Sequence, residues 1–136
     1  MTAGYSGRPL AAKLGLKPGQ RAWAHAMPDS VAAEIGTALP GYRWEAEPEA
    51  GLEMAHVFTA SRAELERALA RLRPLIDPAG TIWVSWPKKA SKVPTDITEE
   101  TVREVALPLG LVDVKVCAVD EIWSGLKLVV RKAFRG

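Results

Sequence analysis

The chain has 136 residues, of which 48% are hydrophobic and 25% charged, and its 18 basic and 16 acidic side chains leave a net charge of +2. This length and composition predict one globular α/β domain over residues 1–136. The charges are spread along both halves of the chain without a basic block, so we predict no nucleic-acid partner. A single cysteine excludes an intramolecular disulfide, and the absence of a signal peptide or of an apolar run near 18 residues predicts a cytoplasmic protein without membrane contact.

The first third of the sequence predicts an arm followed by the first strands. Residues 1–19 form this arm, with a short helix that begins at Pro9 and stops at Gly15. Strands are predicted at 21–27 and at 42–46, and a helix capped by Asp29 or Ser30 lies between them. The glutamate-rich stretch that follows is predicted to be a solvated loop.

The rest of the chain alternates strands and helices. A strand at 54–59 is followed by Ser61 and Glu64, whose spacing predicts a capping box at the start of an amphipathic helix. Residues 77–80 are predicted to turn into the next strand. A further helix starts after Thr98, and strands at 112–118 and 126–131 are predicted to form a terminal antiparallel hairpin.

The most informative stretch is 78–89, an apolar, β-rich run that ends at Pro87 and two lysines. This pattern predicts a central strand whose carboxyl end opens onto solvent. The order of elements predicts a three-layer, Rossmann-like α/β fold with a mostly parallel sheet and a C-terminal antiparallel hairpin. In such sheets ligands bind beyond the carboxyl ends of the strands, where the strand order changes direction.

The candidate ligand-binding residues lie at these predicted strand ends and turns. Lysines there can hold a phosphate or carboxylate, and tryptophans can stack on a ligand. The set is Ser85, Trp86, Lys88, Lys89, Asp120 and Trp123. No catalytic residue and no metal site are predicted, because His25 and His56 are about 30 residues apart and neither has a metal-binding partner at a useful spacing.

Two resemblances extend this prediction. Residues 72–85 resemble the helix, turn and strand in the second half of Rossmann-like S-adenosylmethionine methyltransferases, and the hairpin 112–131 is similar to the reversed hairpin that closes that fold. Residues 4–10, 84–89 and 113–127 resemble a family of small bacterial proteins of unknown function. Both resemblances imply a compact methyltransferase-like scaffold.

The sequence departs from the methyltransferase pattern at the cofactor site. Those enzymes place a glycine-rich loop after the first strand, whereas residues 24–30 contain no glycine. The segment before Met54 is also too short for the helix and strand of a full-length enzyme. Glu45 or Glu47 could take the place of the acid that holds the ribose hydroxyls. The resemblance therefore implies a degenerate scaffold, and no cofactor is predicted.

Two functions fit these observations. We favour a non-catalytic binding or interaction module, a homodimer with the loop 86–92 as its contact surface, over an enzyme. The alternative is a small enzyme or binder acting on an anionic or nucleotide-like metabolite at the strand ends. In that case Lys88 or Lys89 would bind a small anionic ligand and Asp120 would act as an acid or base.

Overall fold

A computed structural model describes residues 9–135, so the first eight residues of the predicted arm lie outside the described residues. The helices are α1 (Leu10–Lys13), α2 (Asp29–Ala38), α3 (Arg62–Leu72) and α4 (Glu99–Ala106). The strands are β1 (Ala22–His25), β2 (Leu52–Phe58), β3 (Ile76–Pro87), β4 (Leu111–Ala118) and β5 (Trp123–Val130). Short 3-10 helices occur at Lys89–Ser91, Leu107–Leu109 and Lys132–Phe134.

Within residues 9–135 the strands form one five-stranded sheet in the order β1-β2-β3-β5-β4. The pairs β1–β2 and β2–β3 are parallel, and β5 runs antiparallel to both β3 and β4. Helices α1 and α2 contact each other on one face of the sheet, and α3 and α4 contact each other on the opposite face. The predicted three-layer, Rossmann-like fold with a central β3 and a terminal antiparallel hairpin is therefore confirmed.

The helices form where the sequence supplies caps and one apolar face. In α3 the side chains of Leu65, Leu69 and Leu72 are buried against the sheet. The Ser61 hydroxyl caps this helix by accepting a hydrogen bond from the Glu64 amide. The Glu64 side chain does not complete the predicted capping box, because the Ser61 amide donates to the Thr59 hydroxyl instead.

Each face of the sheet carries its own core. Leucines of α3 and valines of α4 cover one face, while Leu10, Leu14, Val31 and Ile35 cover the other. Trp83 is fully buried on this second face, and its indole N–H donates to the carbonyl of Leu14 at 3.1 Å. This bond ties α1 to the middle of β3. No helix within residues 9–135 is long and apolar enough to span a bilayer.

Three local predictions are corrected. The predicted strand at 42–46 is reduced to a single bridge between Trp44 and Ala22. The predicted turn at 77–80 lies inside β3 and forms a bulge. Between the pairs Leu52–Ile76 and Met54–Thr81, β3 advances five residues while β2 advances two, and the extra residues bulge outward. The Asp77 carboxylate accepts from the amide of Ala79 at 2.8 Å, so the bend is local. Pro28 occupies the N-cap position of helix α2, and no polar side chain caps this helix.

Candidate functional site

The carboxyl ends of β1, β2 and β3 meet at one edge of the sheet, and the chain changes direction there. Ala22 of β1 pairs with Met54 of β2 on one side and with Trp44 on the other. After α2 the chain therefore returns to the outer side of β1, whereas α3 leads from β2 towards β3 across the opposite face. The boundary between β1 and β2 is the topological switch point, the place where open α/β sheets bind ligands.

The connector between β1 and α2 has an unusual backbone. Ala26 follows β1 directly and has φ = 55°, a left-handed conformation that favours glycine. Only residues 26–28 separate the strand from the helix. Because Pro28 offers no capping side chain, the first-turn amides of α2 have no side-chain cap at this edge.

Three polar side chains meet at the switch point. The Thr59 hydroxyl, just beyond β2, donates to Oε1 of Glu64 in the first turn of α3. The other carboxylate oxygen of Glu64 lies 3.4 Å from Nε2 of His25, the last residue of β1. The end of β1, the end of β2 and the start of α3 thus share one cluster of polar side chains in contact, which we name the switch-point cluster.

The electrostatics of the cluster keep its acid charged. The hydrogen bond from Thr59 and, to a lesser extent, the neighbouring His25 hold the pKa of Glu64 below its ordinary value. The Glu64 side chain is 41% exposed and that of His25 is 36% exposed, so both are open to a ligand. The cluster therefore offers an ionised carboxylate and an imidazole to a molecule that lies over this edge.

A small cavity extends from the cluster along the outer side of α3. Its volume is about 210 Å³, and it is lined by Trp23, His25, Glu64, Arg67, Ala68 and Arg71. The Arg71 guanidinium carbon lies 5.7 Å from the ring centre of Trp23, a cation–π distance. Trp23 itself is buried, so the cavity has a flat aromatic wall beside polar groups.

A larger groove of about 610 Å³ lies beyond the carboxyl end of β3, and we name it the β3 groove. Trp86 forms a buried wall, and the side chains of Lys88, Lys89 and Lys92 surround the opening. The two sites share a boundary, because the Thr95 hydroxyl in the β3 groove donates to the carbonyl of Ala60, immediately after Thr59.

The structure brings together only some of the predicted site residues. Trp86, Lys88 and Lys89 line the β3 groove. Ser85 is fully buried and lies 2.7 Å from Nε2 of His56, so it does not reach the groove. Asp120 accepts hydrogen bonds from the amides of residues 122 and 123 within its own turn, and the Trp123 ring packs edge-on against Phe58.

Sequence reasoning did not identify the switch-point cluster. His25 was interpreted as an isolated strand histidine, and Glu64 was interpreted as half of a capping box. The available signal was Thr59, a hydroxyl residue at a strand end five positions before an acid in a first helical turn. Recognising the cluster also required the β1–β2 pairing, which places His25 opposite Val57.

The comparisons with known proteins give matches to solved structures but none to protein-family models or curated sequences. No protein-family model matches this chain, and a search of curated protein sequences gives no match. Among solved structures, LepI in complex with SAM is 13% identical, with a TM-score of 0.57 over 90% of this chain and 39% of that one. This chain therefore spans about two-fifths of LepI.

Two further structures match over most of their own length. Magnesium protoporphyrin IX methyltransferase from Synechocystis PCC 6803 with bound SAM is 14% identical, with a TM-score of 0.57 over 90% of this chain and 74% of that one. Fibrillarin from Aeropyrum pernix with bound S-adenosyl-L-methionine is 12% identical, with a TM-score of 0.55 over 88% of this chain and 73% of that one.

The fold is methyltransferase-like. This likeness is one of fold, since the identities lie between 8% and 14% in the structures compared. The prediction of a non-catalytic interaction module is wrong on this comparison, because the three similar structures reported above all hold SAM.

Proposed function

We propose that this chain has a methyltransferase-like function, with S-adenosylmethionine bound over the carboxyl ends of β1 and β2. The observation that carries the proposal is the switch-point cluster, which places an ionised Glu64 and a half-exposed His25 where this class of sheet binds ligands. The fold likeness to three SAM-bound structures, one of them a methyltransferase, supports the same assignment.

The described residues fit the cofactor at two points. The left-handed backbone of Ala26 reproduces the turn for which the cofactor enzymes use glycine, although its methyl group stays on the surface of the connector. Glu64 supplies a charged acceptor that suits either the ribose hydroxyls or the positive groups of the ligand. We infer that Glu64 and the backbone of residues 26–28 would hold the cofactor.

The ribose acid implied by the family resemblance is displaced. Glu45 accepts from the Arg21 guanidinium at 2.8 Å, and its amide donates to the carbonyl of Ala22 at the beginning of β1. That position lies about 10 Å along the strand from the carboxyl end. Glu47 forms an ion pair with Arg71 at 2.8 Å. Glu64 is therefore the acid at the switch point in this chain.

When bound, S-adenosylmethionine supplies an electrophilic methyl group on its sulfonium sulfur. In this proposal His25 supplies the base: its Nε2 lies 3.4 Å from Glu64, and with the ring proton on that nitrogen its Nδ1 can accept a proton from a hydroxyl or amine. Glu64 orients that ring and stabilises the imidazolium that forms. Thr59 in turn fixes the Glu64 carboxylate by donating a hydrogen bond to it.

The test is binding of S-adenosylmethionine and S-adenosylhomocysteine, measured by calorimetry and by thermal unfolding. A ligand at 100 times its dissociation constant adds about 2.7 kcal/mol of stability, which raises the unfolding temperature by several degrees. Glu64→Gln should remove most of this shift. The matched control is Glu66→Gln on the same helix, where the acid pairs with Arg62, and its shift should equal that of the wild type.

A second variant tests the connector. Ala26→Gly removes the methyl group and suits the left-handed backbone, so the affinity for S-adenosylhomocysteine should rise. No binding of either adenosyl compound at millimolar concentration to the folded wild-type protein would refute the proposed function.

The bacterial origin, the cytoplasmic location and the family membership that the sequence suggests are also part of this proposal. We infer that the chain is a bacterial, cytoplasmic protein and that it belongs to the small family it resembles. The support for this is the set of motifs at 84–89 and 113–127.

A further inference from the structure

The β3 groove combines an apolar wall with unpaired positive charge. Trp86 is only 7% exposed, and Pro87, Val93 and Ile97 add apolar surface to the lining. The lysines at 88, 89 and 92 form no ion pair with any carboxylate of residues 9–135. The lining includes one acid, Glu99, and its carboxylate is already paired with Arg103.

The loop that carries these lysines is held by hydrogen bonds of its own. The Lys88 amide donates to the carbonyl of Ile122 at 2.8 Å, which fastens the loop to the β4–β5 hairpin. The Ser91 hydroxyl donates to the carbonyl of Lys88 at 2.7 Å and accepts from the amide of Val93 at 3.2 Å. The groove is therefore preformed, and a ligand does not have to order it.

One backbone conformation in this loop is strained. Lys92 has φ = 61°, in the left-handed region that a lysine rarely adopts. Strained residues of this kind persist where surrounding contacts hold them, and they cluster at binding sites. In this conformation the Lys92 side chain lines the groove together with the other two lysines.

We propose that the β3 groove binds the methyl acceptor, and that the acceptor is a small molecule with a carboxylate or phosphate group attached to an apolar, preferably aromatic, body that carries a hydroxyl or amine. In the transfer the S–CH3 bond of the cofactor would break as an O–CH3 or N–CH3 bond forms, S-adenosylhomocysteine would leave, and the proton of the hydroxyl or amine would pass to His25. The anionic group pairs with the lysines, and the apolar body lies against Trp86. The role as acceptor site rests on the proposed function. The boundary at Ala60 places such a molecule beside the switch-point cluster, so both ligands can be bound at once.

The test uses 2-naphthyl phosphate as the probe, with 2-naphthol and inorganic phosphate as its separate parts. Titrations are followed by calorimetry and by tryptophan fluorescence at low ionic strength. We expect 2-naphthyl phosphate to bind at least about tenfold more tightly than either part alone. Raising the salt concentration should weaken its binding, because the lysines are on the rim of the groove.

The paired variants locate the binding. Lys88→Ala/Lys89→Ala should weaken binding of 2-naphthyl phosphate about tenfold or more. Lys17→Ala/Lys127→Ala is the matched control, because it removes two lysines that line a separate groove of about 520 Å³ at the opposite edge of the sheet. The control should bind as the wild type does, and thermal unfolding checks that both variants are folded.

The outcomes distinguish this proposal from the proposed function. Equal weakening in the two double variants, or equal binding of 2-naphthol and 2-naphthyl phosphate, would overturn the anion site. Displacement of 2-naphthyl phosphate by S-adenosylhomocysteine would overturn the acceptor role, since two adjacent sites must be filled together. Binding at the lysines without any binding of adenosyl compounds would leave the anion site standing and refute the methyltransferase-like function.

Discussion

The buried histidine of β2 should make the protein sensitive to mild acid. His56 has no exposed surface, its ring stacks on Phe58 with centres 4.2 Å apart, and its Nε2 lies 2.7 Å from the Ser85 hydroxyl. Its Nδ1 has no hydrogen-bond partner among the described residues. Burial lowers the pKa of His56 from 6.5 to about 3, because a charged ring could not be solvated there.

The sign of the effect follows from proton binding. Between pH 6.5 and 3 the unfolded chain binds a proton at His56 that the folded chain does not bind, so the free energy of unfolding falls as the pH falls. Well below pH 6.5 each pH unit costs about 1.4 kcal/mol. At pH 6.5 the unfolded histidine is only half protonated, so the change from pH 6.5 to 4.5 costs about 2.3 kcal/mol. That is a large share of the 5–15 kcal/mol that is typical of a folded domain.

The assay is urea unfolding at several pH values between 7 and 4.5, for the wild type and for His56→Leu/Ser85→Ala. The double variant removes the histidine together with its buried partner, so no hydroxyl is left unpaired. We expect the wild type to lose about 2.3 kcal/mol more than this variant between pH 6.5 and 4.5. His25→Gln keeps the buried histidine and should retain the wild-type loss. Parallel losses in the wild type and the double variant would refute the reasoning.

Two further predictions concern the frame that holds the sites. Ser61→Ala removes the acceptor for the Glu64 amide and should lower the free energy of unfolding by about 1 kcal/mol in urea titrations, while Ser61→Asp should recover most of it. Gly80→Ala should destabilise by about 1–3 kcal/mol, since its Cβ would lie 2.9 Å from the carbonyl oxygen of Glu53. Its matched control is Gly36→Ala in α2, where a Cβ meets nothing within 4 Å and should stabilise the helix by up to about 1 kcal/mol. Equal effects of the two glycine substitutions would contradict the packing at residue 80.

The fold was predictable because its signals are local. A capping serine and leucines at helical spacing predict helix α3. An apolar run that ends at Pro87 predicts the central strand. The segment at 42–46 does not form a strand. Among the described residues it pairs only through Trp44 with Ala22, which is at the start of a four-residue strand. The bend at 77–80 was predicted as a turn because Asp, Pro and Gly favour one, yet pairing with β2 continues on both sides of it.

The candidate site was less predictable from the sequence. The sheet face on which a side chain lies, and the distance between residues far apart in sequence, depend on tertiary structure. Ser85 and Trp86 are neighbours in sequence, but strand alternation sends them to opposite faces of β3. Only the position of α1, which covers the face of Trp83 and Ser85, shows which of the two reaches the groove. His25 and Glu64 are 39 positions apart and meet only through the parallel pairing of β1 with β2.

The shortened β1 edge accounts for where the polar groups of the candidate site lie. Among residues 9–135 only Trp44 pairs on the outer side of β1, and Glu45 lies at the beginning of that strand in an ion pair with Arg21. The flank of α3 beside β1 lines the 210 Å³ cavity, and Glu64 is the acid among its lining residues. An acid in the first turn of α3 lies beside the switch point, so the ligand contact proposed for Glu64 does not depend on strands beyond β1. The proposed contact needs a charged Glu64, and the hydrogen bond from Thr59 favours that form by lowering the pKa of Glu64.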